Sequence, residues 1–178
     1  MKHYIESFVI ALFIFFTVFY LSASYTEDYP RQSKNNQLVV ASNSSMQVKN
    51  PPCIELHNCI EKYSEEYNVP KNIAYGVAFS ETRYEGPTHW DYSHEKLSGA
   101  GALGPMQVMY STAKGLFPNK IFSRDELKSN IDFNVHCSMK LLKKLFDKYS
   151  SWKVALGAYN TGTPCINGYA EKVFKYQL

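Results

Sequence analysis

With 178 residues, the chain has room for one catalytic-sized domain with a core of ordinary size, and not for a second. Its 19 basic and 16 acidic side chains leave a formal charge of +3. That charge is spread out, with no Lys/Arg cluster interleaved with stacking aromatics, which excludes a nucleic-acid partner.

The first predicted element is an almost uninterrupted apolar run from Phe8 to Ala23, preceded by Met1-Lys2-His3 and followed by Ser22-Ala23-Ser24. As a helix of about 1.5 Å per residue it would span about 24 Å, slightly short of a bilayer core. Residues 1–24 therefore read as an export signal, either a cleaved signal peptide or a retained membrane anchor. The small residues favour cleavage, and the Phe-rich run with its weakly basic start favours retention. This is the only segment expected to touch a membrane. Residues 25–51 shift to Ser, Asn, Gln, Lys and Asp and predict a flexible polar linker, with a root-mean-square reach of about 30 Å. The folded domain is expected over residues 52–178.

Within it, Leu56, Cys59, Ile60, Tyr63 and Tyr67 recur at helical spacing and end before Pro70. A second helix is predicted from Pro70, with Ile73, Val77, Glu81 and Tyr84 on one stripe and Gly86-Pro87 as its stop. Strand signals are weak, and only the irregular stretch from Glu85 to Val108 has room for a short hairpin. Ser123 and Glu126 form a capping box, and Asn130 caps a long helix carrying Ile131, Val135, Ser138, Leu142, Leu145 and Tyr149. Ser151 caps a shorter one through Trp152, Ala155, Leu156 and Tyr159, ended by Asn160 to Gly162, and one or two further turns follow Gly168. The fold class is mainly α, with at most a small β-hairpin.

Four cysteines, Cys53, Cys59, Cys137 and Cys165, follow the apolar segment. Export permits one or two disulfides among three pairings, and free buried thiols are the alternative. Cys53, His57 and Cys59 do not match a common zinc spacing, so no metal and no cofactor are expected. Cys137 lies at core spacing inside the long helix, where a packed thiol is the ordinary role, and no cysteine–histidine pair is spaced as a nucleophile and its base.

Glu81 is the unusual residue. A carboxylate in line with Ile73 and Val77 faces the apolar side of its helix, where desolvation favours the protonated form; the stripe alone fits better a glutamate that, near its helix end, pairs with Arg83 or reaches solvent. A protonated carboxylic acid near neutral pH is what breaking a glycosidic bond requires, because the departing oxygen must receive a proton. Downstream, Ser98 to Met109 is dense in Gly and Ala, which lets a backbone loop approach a ligand closely, and Gln107 offers an amide for hydroxyl or acetamido groups.

These residues carry a family resemblance. Phe79-Ser80-Glu81-Thr82, the run Gly101-Ala102-Leu103-Gly104-Pro105-Met106-Gln107, Thr112-Ala113, Asn130-Ile131 and Ala158-Tyr159-Asn160-Thr161-Gly162 resemble, in order and wording, the soluble lytic transglycosylase domain over about residues 54–174. The resemblance implies a lysozyme-like helical fold acting on peptidoglycan glycan strands, at the β-1,4 bond between N-acetylmuramic acid and N-acetylglucosamine, with a 1,6-anhydro product. It implies Glu81 as the catalytic acid and base, Ser98 as the serine supporting the glutamate or substrate, Met106 and Gln107 as groove-lining residues, and Tyr159 as the tyrosine that holds the glutamate. It also implies an exported protein of the periplasm or cell envelope. Wall remodelling and service to a secretion, conjugation or phage machine fit equally well.

Departures from the family pattern include Thr82 for Ser, Pro105 for Leu, Tyr110 for Pro and Asn134 for Gly. The interval from Glu81 to Gln107 is also longer than in the commonest members, and its extra residues include Gly86-Pro87-Thr88-His89-Trp90. Two rival readings stand beside the resemblance. A hydrolytic muramidase would need a second carboxylate from Glu85, Asp91 or Glu95 to place water. A silent wall-binding or secretion-scaffold module would not need Glu81 at all.

Overall fold

The computed structural model describes residues 49–177, and the expectations for residues 1–24 and most of the linker lie outside that range. Helix α1, Pro52–Tyr67, opens on a proline at its first turn, where a missing N–H costs nothing. It buries Cys53, Leu56, Cys59, Ile60 and Tyr63 and closes at Asn68, which adopts a left-handed conformation. After Pro70, α2 runs from Lys71 to Thr82 and buries the unbroken series Ile73 to Ala78. A helix buried on all sides is the centre of its domain.

The end of α2 departs from the expectation. Arg83 takes a left-handed conformation (φ 61°) and its N–H returns to the Phe79 carbonyl, so the helix stops two residues after Glu81, well before Gly86-Pro87. Tyr84 is fully buried all the same. It leaves the helix, donates its hydroxyl to the Cys53 carbonyl at 2.7 Å and stacks beside Tyr75. The apolar stripe continued past the helix because the following turn is also core.

The irregular stretch does contain a hairpin: β1, Ala102–Leu103, pairs antiparallel with β2, Val108–Met109. Directly after β2 comes α3, Tyr110–Leu116, a short helix with little sequence signal of its own. Next are α4, Arg124–Ser129, and α5, Ile131–Tyr149. Their caps follow the sequence pattern, with Ser123 Oγ accepting from Glu126 N at 3.0 Å and Asn130 Oδ1 from Phe133 N at 2.9 Å. Helix α6, Trp152–Thr161, is capped by Ser151, and α7, Gly168–Phe174, by Asn167. Trp152 stacks on Phe146 with ring centroids 4.2 Å apart, which fixes the corner between α5 and α6.

Packing closes a ring. Helix α1 lies on α5, α5 on α6, α6 on α7, α7 on α2, and α2 back on α1. The four cysteines are free thiols, buried at 53, 59 and 137 and partly exposed at 165. Burial pushes the Cys59 and Cys137 thiols up to about 12, which keeps them protonated and inert. Among the described residues, no helix is long and apolar enough to cross a membrane.

The hairpin is too small to hold its own shape and is fastened from outside by Asn134 of α5. This side chain has no exposed surface. Its amide donates to the carbonyls of Leu103 at 2.8 Å and Leu127 at 2.9 Å, and its oxygen accepts from Met106 N at 2.9 Å. The hairpin can reach this depth only because position 104 is glycine: φ is +73°, and a Cβ there would sit 2.5 Å from the Asn134 nitrogen. Asn134→Ala would strand three buried backbone groups. It is expected to destabilise the domain by about 3 kcal/mol in a urea titration, and a loss under about 1 kcal/mol would show that the hairpin holds itself.

Candidate functional site

Glu81 occupies the last turn of α2, beside the hairpin and under α7. Helix α7 comes this close because α2 carries glycine at position 76, where a Cβ would meet the Val173 carbonyl at 2.8 Å and Tyr176 Cβ at 2.9 Å. From Gly76 to Glu81 along α2, the facing residues of α7 run from Val173 back to Tyr169, so the two helices are antiparallel. The register brings the Tyr169 hydroxyl to Glu81 Oε1, to which it donates at 2.7 Å.

Burial is the largest influence on Glu81 and raises its carboxyl above the ordinary range. The Tyr169 hydrogen bond and the charges of Lys96 and Lys172 oppose the rise without cancelling it. Tyr169 itself is held well above its usual range by burial and by the Glu81 charge, so it stays a proton donor in this bond. With Oε1 engaged, Oε2 takes no hydrogen bond among the described residues.

Neighbouring residues fix the end of α2. Thr82 Oγ1 lies 3.0 Å from the Pro105 carbonyl and 2.7 Å from the Tyr92 hydroxyl, so one hydroxyl ties the helix to the hairpin turn and to the 85–97 loop. The Lys96 ammonium donates to the Glu81 carbonyl, satisfying an acceptor that the helix end leaves open.

The other residues singled out in the sequence fall into place differently. Ser98 accepts from Ala102 N at 2.9 Å through its hydroxyl and makes no hydrogen bond to Glu81; it shapes the turn before β1. Gln107 sits at φ 50° and donates both amide hydrogens, to the carbonyls of Gly104 at 2.8 Å and Lys96 at 3.2 Å. Only its oxygen is left for a ligand.

Met106 is a correction. Its side chain is fully buried, so it is core and cannot line an open groove. The reason is its place in the turn between the strands, where Asn134 holds its backbone N–H inward; the exposed thioether belongs to Met109, 41 % exposed. Tyr159 is a second correction. Its buried hydroxyl donates to the Met106 carbonyl at 2.7 Å and lies 2.9 Å from Ser138 Oγ, so it braces the hairpin from α6, while the bond to the glutamate comes from Tyr169. Tyr169 lies 88 positions from Glu81, and no local pattern marks it. Among the described residues, no three His, Cys, Asp or Glu side chains converge as metal ligands. A cavity of about 360 Å³ between α3 and α5, lined by Tyr67, Leu116 and Lys140 among others, includes none of the residues above.

A mainly helical domain with a small hairpin and one half-buried carboxyl, raised by desolvation and hydrogen-bonded by a distant tyrosine, defines the class. Residues 58–177 match the family model for the transglycosylase SLT domain, and the chain belongs to that family. It is similar to a transglycosylase of Enterobacteria phage PRD1, 30 % identical over 118 residues, which are 63 % of this chain and 39 % of the phage protein. It is also similar to Protein IpgF of Shigella flexneri, 27 % identical over 126 residues, covering 68 % of this chain and 80 % of that protein. The fold is that of the 70-kDa soluble lytic transglycosylase of Escherichia coli, with a TM-score of 0.50 at 19 % identity over 66 % of this chain and 18 % of that one. An inactive mutant of lytic transglycosylase Slt from Pseudomonas aeruginosa gives a TM-score of 0.50 at 20 % identity, over 68 % and 18 %. The chain thus spans about two fifths of the phage relative and under a fifth of either solved enzyme.

The Tyr169 bond favours the charged form of Glu81, so Tyr169→Phe leaves burial less opposed. Carboxyl-carbon NMR of Glu81 should show it titrating at higher pH in this variant than in the wild type. An unchanged or lower midpoint would mean that the bond does not form in solution.

Proposed function

We propose that this chain is a peptidoglycan lytic transglycosylase that cleaves the β-1,4 bond between N-acetylmuramic acid and N-acetylglucosamine without adding water. Its family membership supports the class of substrate, and one observation carries the mechanism: Glu81 is a half-buried carboxyl, raised by desolvation, with one oxygen held by Tyr169 and the other without a hydrogen bond among the described residues.

Protonated Glu81 gives its proton to the glycosidic oxygen as that bond to the muramic acid breaks, and the N-acetylglucosamine side leaves as an alcohol. The acetamido group of the muramic acid supports the positive charge at the anomeric carbon. Glu81, now a carboxylate stabilised by Tyr169, Lys96 and Lys172, removes the proton from the 6-hydroxyl of the same sugar. That oxygen then bonds to the anomeric carbon. Glu81 ends protonated by the 6-hydroxyl's proton, its own having left on the N-acetylglucosamine hydroxyl; no water is consumed, and the product is the 1,6-anhydro sugar. Tyr169 stabilises the carboxylate form, and burial favours the acid form. Together they keep the two states close enough in energy for one residue to serve twice.

Hydrolysis would need a second carboxylate free to orient water. Glu95 is engaged by Lys128 at 3.6 Å, and Asp91 lies 3.5 Å from His89 with its side chain 94 % exposed. Glu85, the remaining candidate, is exposed and has no ion pair among the described residues, so Glu95 alone is drawn away from such a role. The exported location is part of the same proposal, supported by the apolar N-terminal sequence, and service to a phage machine is supported by the phage relative.

Mass spectrometry of digested peptidoglycan tests the reaction. Wild type should release anhydro-muropeptides, and Glu81→Gln should lower the rate at least about a hundredfold. Reducing-end products would mean a hydrolase instead. The raised carboxyl has a second consequence. The folded state binds the Glu81 proton more tightly than the unfolded chain, so this residue costs no stability at acidic pH and costs more as pH rises through its folded value. Glu81→Gln should therefore melt at a higher temperature than wild type at neutral pH, with the gap closing on acidification. Equal melting at both pH values would refute the buried-acid account.

A further inference from the structure

Along the second half of α5, charge that is scattered in the sequence becomes a stripe. Lys140, Lys144 and Lys148 follow one another at intervals of four, so the helix sets them one above the other. None of the three has a carboxylate partner among the described residues; Lys143 beside them does, in Asp147. Like charges at this spacing weaken a helix, so helix stability does not account for the stripe. Lys140 also lies over the Phe117 ring, 4.2 Å from the centroid, which draws the loop after α3 against the same face.

What sets this face apart is the surface the stripe borders. Three grooves of about 360, 430 and 310 Å³ adjoin there, between α3, the loop after it and α5, and Leu116 lines all of them. Their walls hold Lys120, Lys140, Lys143, Lys144 and Lys148 against the single acid Asp147, in a chain whose totals are 19 basic and 16 acidic. Glu126 approaches Lys120 from outside, at 3.7 Å. The floor of the third groove is apolar, formed by the half-buried Leu116, Leu141 and Leu145. Next to Lys120, Ile121 is 95 % exposed. A bare isoleucine among lysines is unfavourable in water and favourable where an apolar phase begins beneath a layer of anions. No residue of the acid site lines these grooves.

We infer that this face docks the folded domain on an anionic phospholipid bilayer, with the lysines meeting headgroup phosphates and Ile121 entering the interface. The choice of cation selects lipid over an acidic protein. Every basic residue lining the grooves is lysine. Protein interfaces favour arginine, whose planar fork fixes a geometry, and are depleted in lysine, whereas hydrated point charges suit a field of phosphates with no fixed arrangement. The apolar run from Phe8 to Ala23, as an export signal or anchor, brings the domain to a bilayer. This contact is separate from the one expected of residues 1–24, and it does not depend on the reaction proposed for Glu81.

The test sediments the purified full chain with vesicles of equal parts phosphatidylglycerol and phosphatidylcholine, and with vesicles of phosphatidylcholine alone. Neutral vesicles report what the apolar N-terminal run contributes, so the difference between the two reports the lysine face. Wild type should favour the mixed vesicles, and added salt should erode the preference. Lys140→Gln, Lys144→Gln and Lys148→Gln combined should weaken binding to mixed vesicles about a hundredfold, at about fivefold per lysine, and leave binding to neutral vesicles unchanged. The same three positions changed to Arg should retain the preference, which separates lost charge from a lost fold. In Ile121→Trp, brominated acyl chains in mixed vesicles should quench fluorescence beyond the wild-type level. Equal binding of the wild type to both vesicles would overturn the inference, as would undiminished binding by the glutamine variant or an unquenched Trp at 121. Capture by immobilised polyglutamate without preference for mixed vesicles would overturn the bilayer in favour of an acidic polypeptide.

Discussion

Removing the Glu81 carboxyl from water is the constraint on which the rest of the structure depends. A buried carboxylate is costly, and the cost falls if the group keeps its proton or finds a donor. Here burial shifts the carboxyl toward its protonated form, and Tyr169 supplies a donor. Gly76 belongs to the same solution although it lies more than a helical turn away, since a Cβ there would push α7 off α2 and withdraw the tyrosine. The ring of five helices closes at this contact, so the helix that completes the fold also completes the acid.

A second fastening point sets the other wall. The hairpin has two residues per strand, far below what holds itself together in water. Asn134 from α5, Tyr159 from α6 and Thr82 from α2 each take a backbone group of the segment from Leu103 to Met106. Three helices of the ring thereby hold one short turn, and any shift among them is transmitted to the opening over Glu81. The asparagine at 134, where glycine is frequent in the resembling family, exchanges a small residue for three buried hydrogen bonds. Its depth is compatible with the loop only because of Gly104.

Stability and chemistry pull against each other here. The packing that would suit the fold best at residue 81 is an uncharged side chain, and the reaction proposed for the site needs one that can lose a proton. The cationic side chains around the opening ease the conflict by favouring the carboxylate without filling the space above it. Their exposure keeps that help modest, because water screens them. Burial therefore stays the larger influence, as the raised carboxyl shows.

Local patterns in the sequence determined the helices other than α3, their caps at Ser123, Asn130 and Ser151, and the placement of Glu81 on an apolar stripe, because cap chemistry and helical period act within a few residues. They misplaced the end of α2, since Tyr84 is core whether or not it is helical. They also misread Met106 and Tyr159, because a motif says which residues gather at a site and not which way each one turns. Tyr169, the Asn134 clamp and the Lys172 ammonium over Phe79 join positions far apart in the chain. Only the packing of α7 on α2 and of α5 on the hairpin decided them, since a hydrogen bond across 88 residues leaves no periodicity to read.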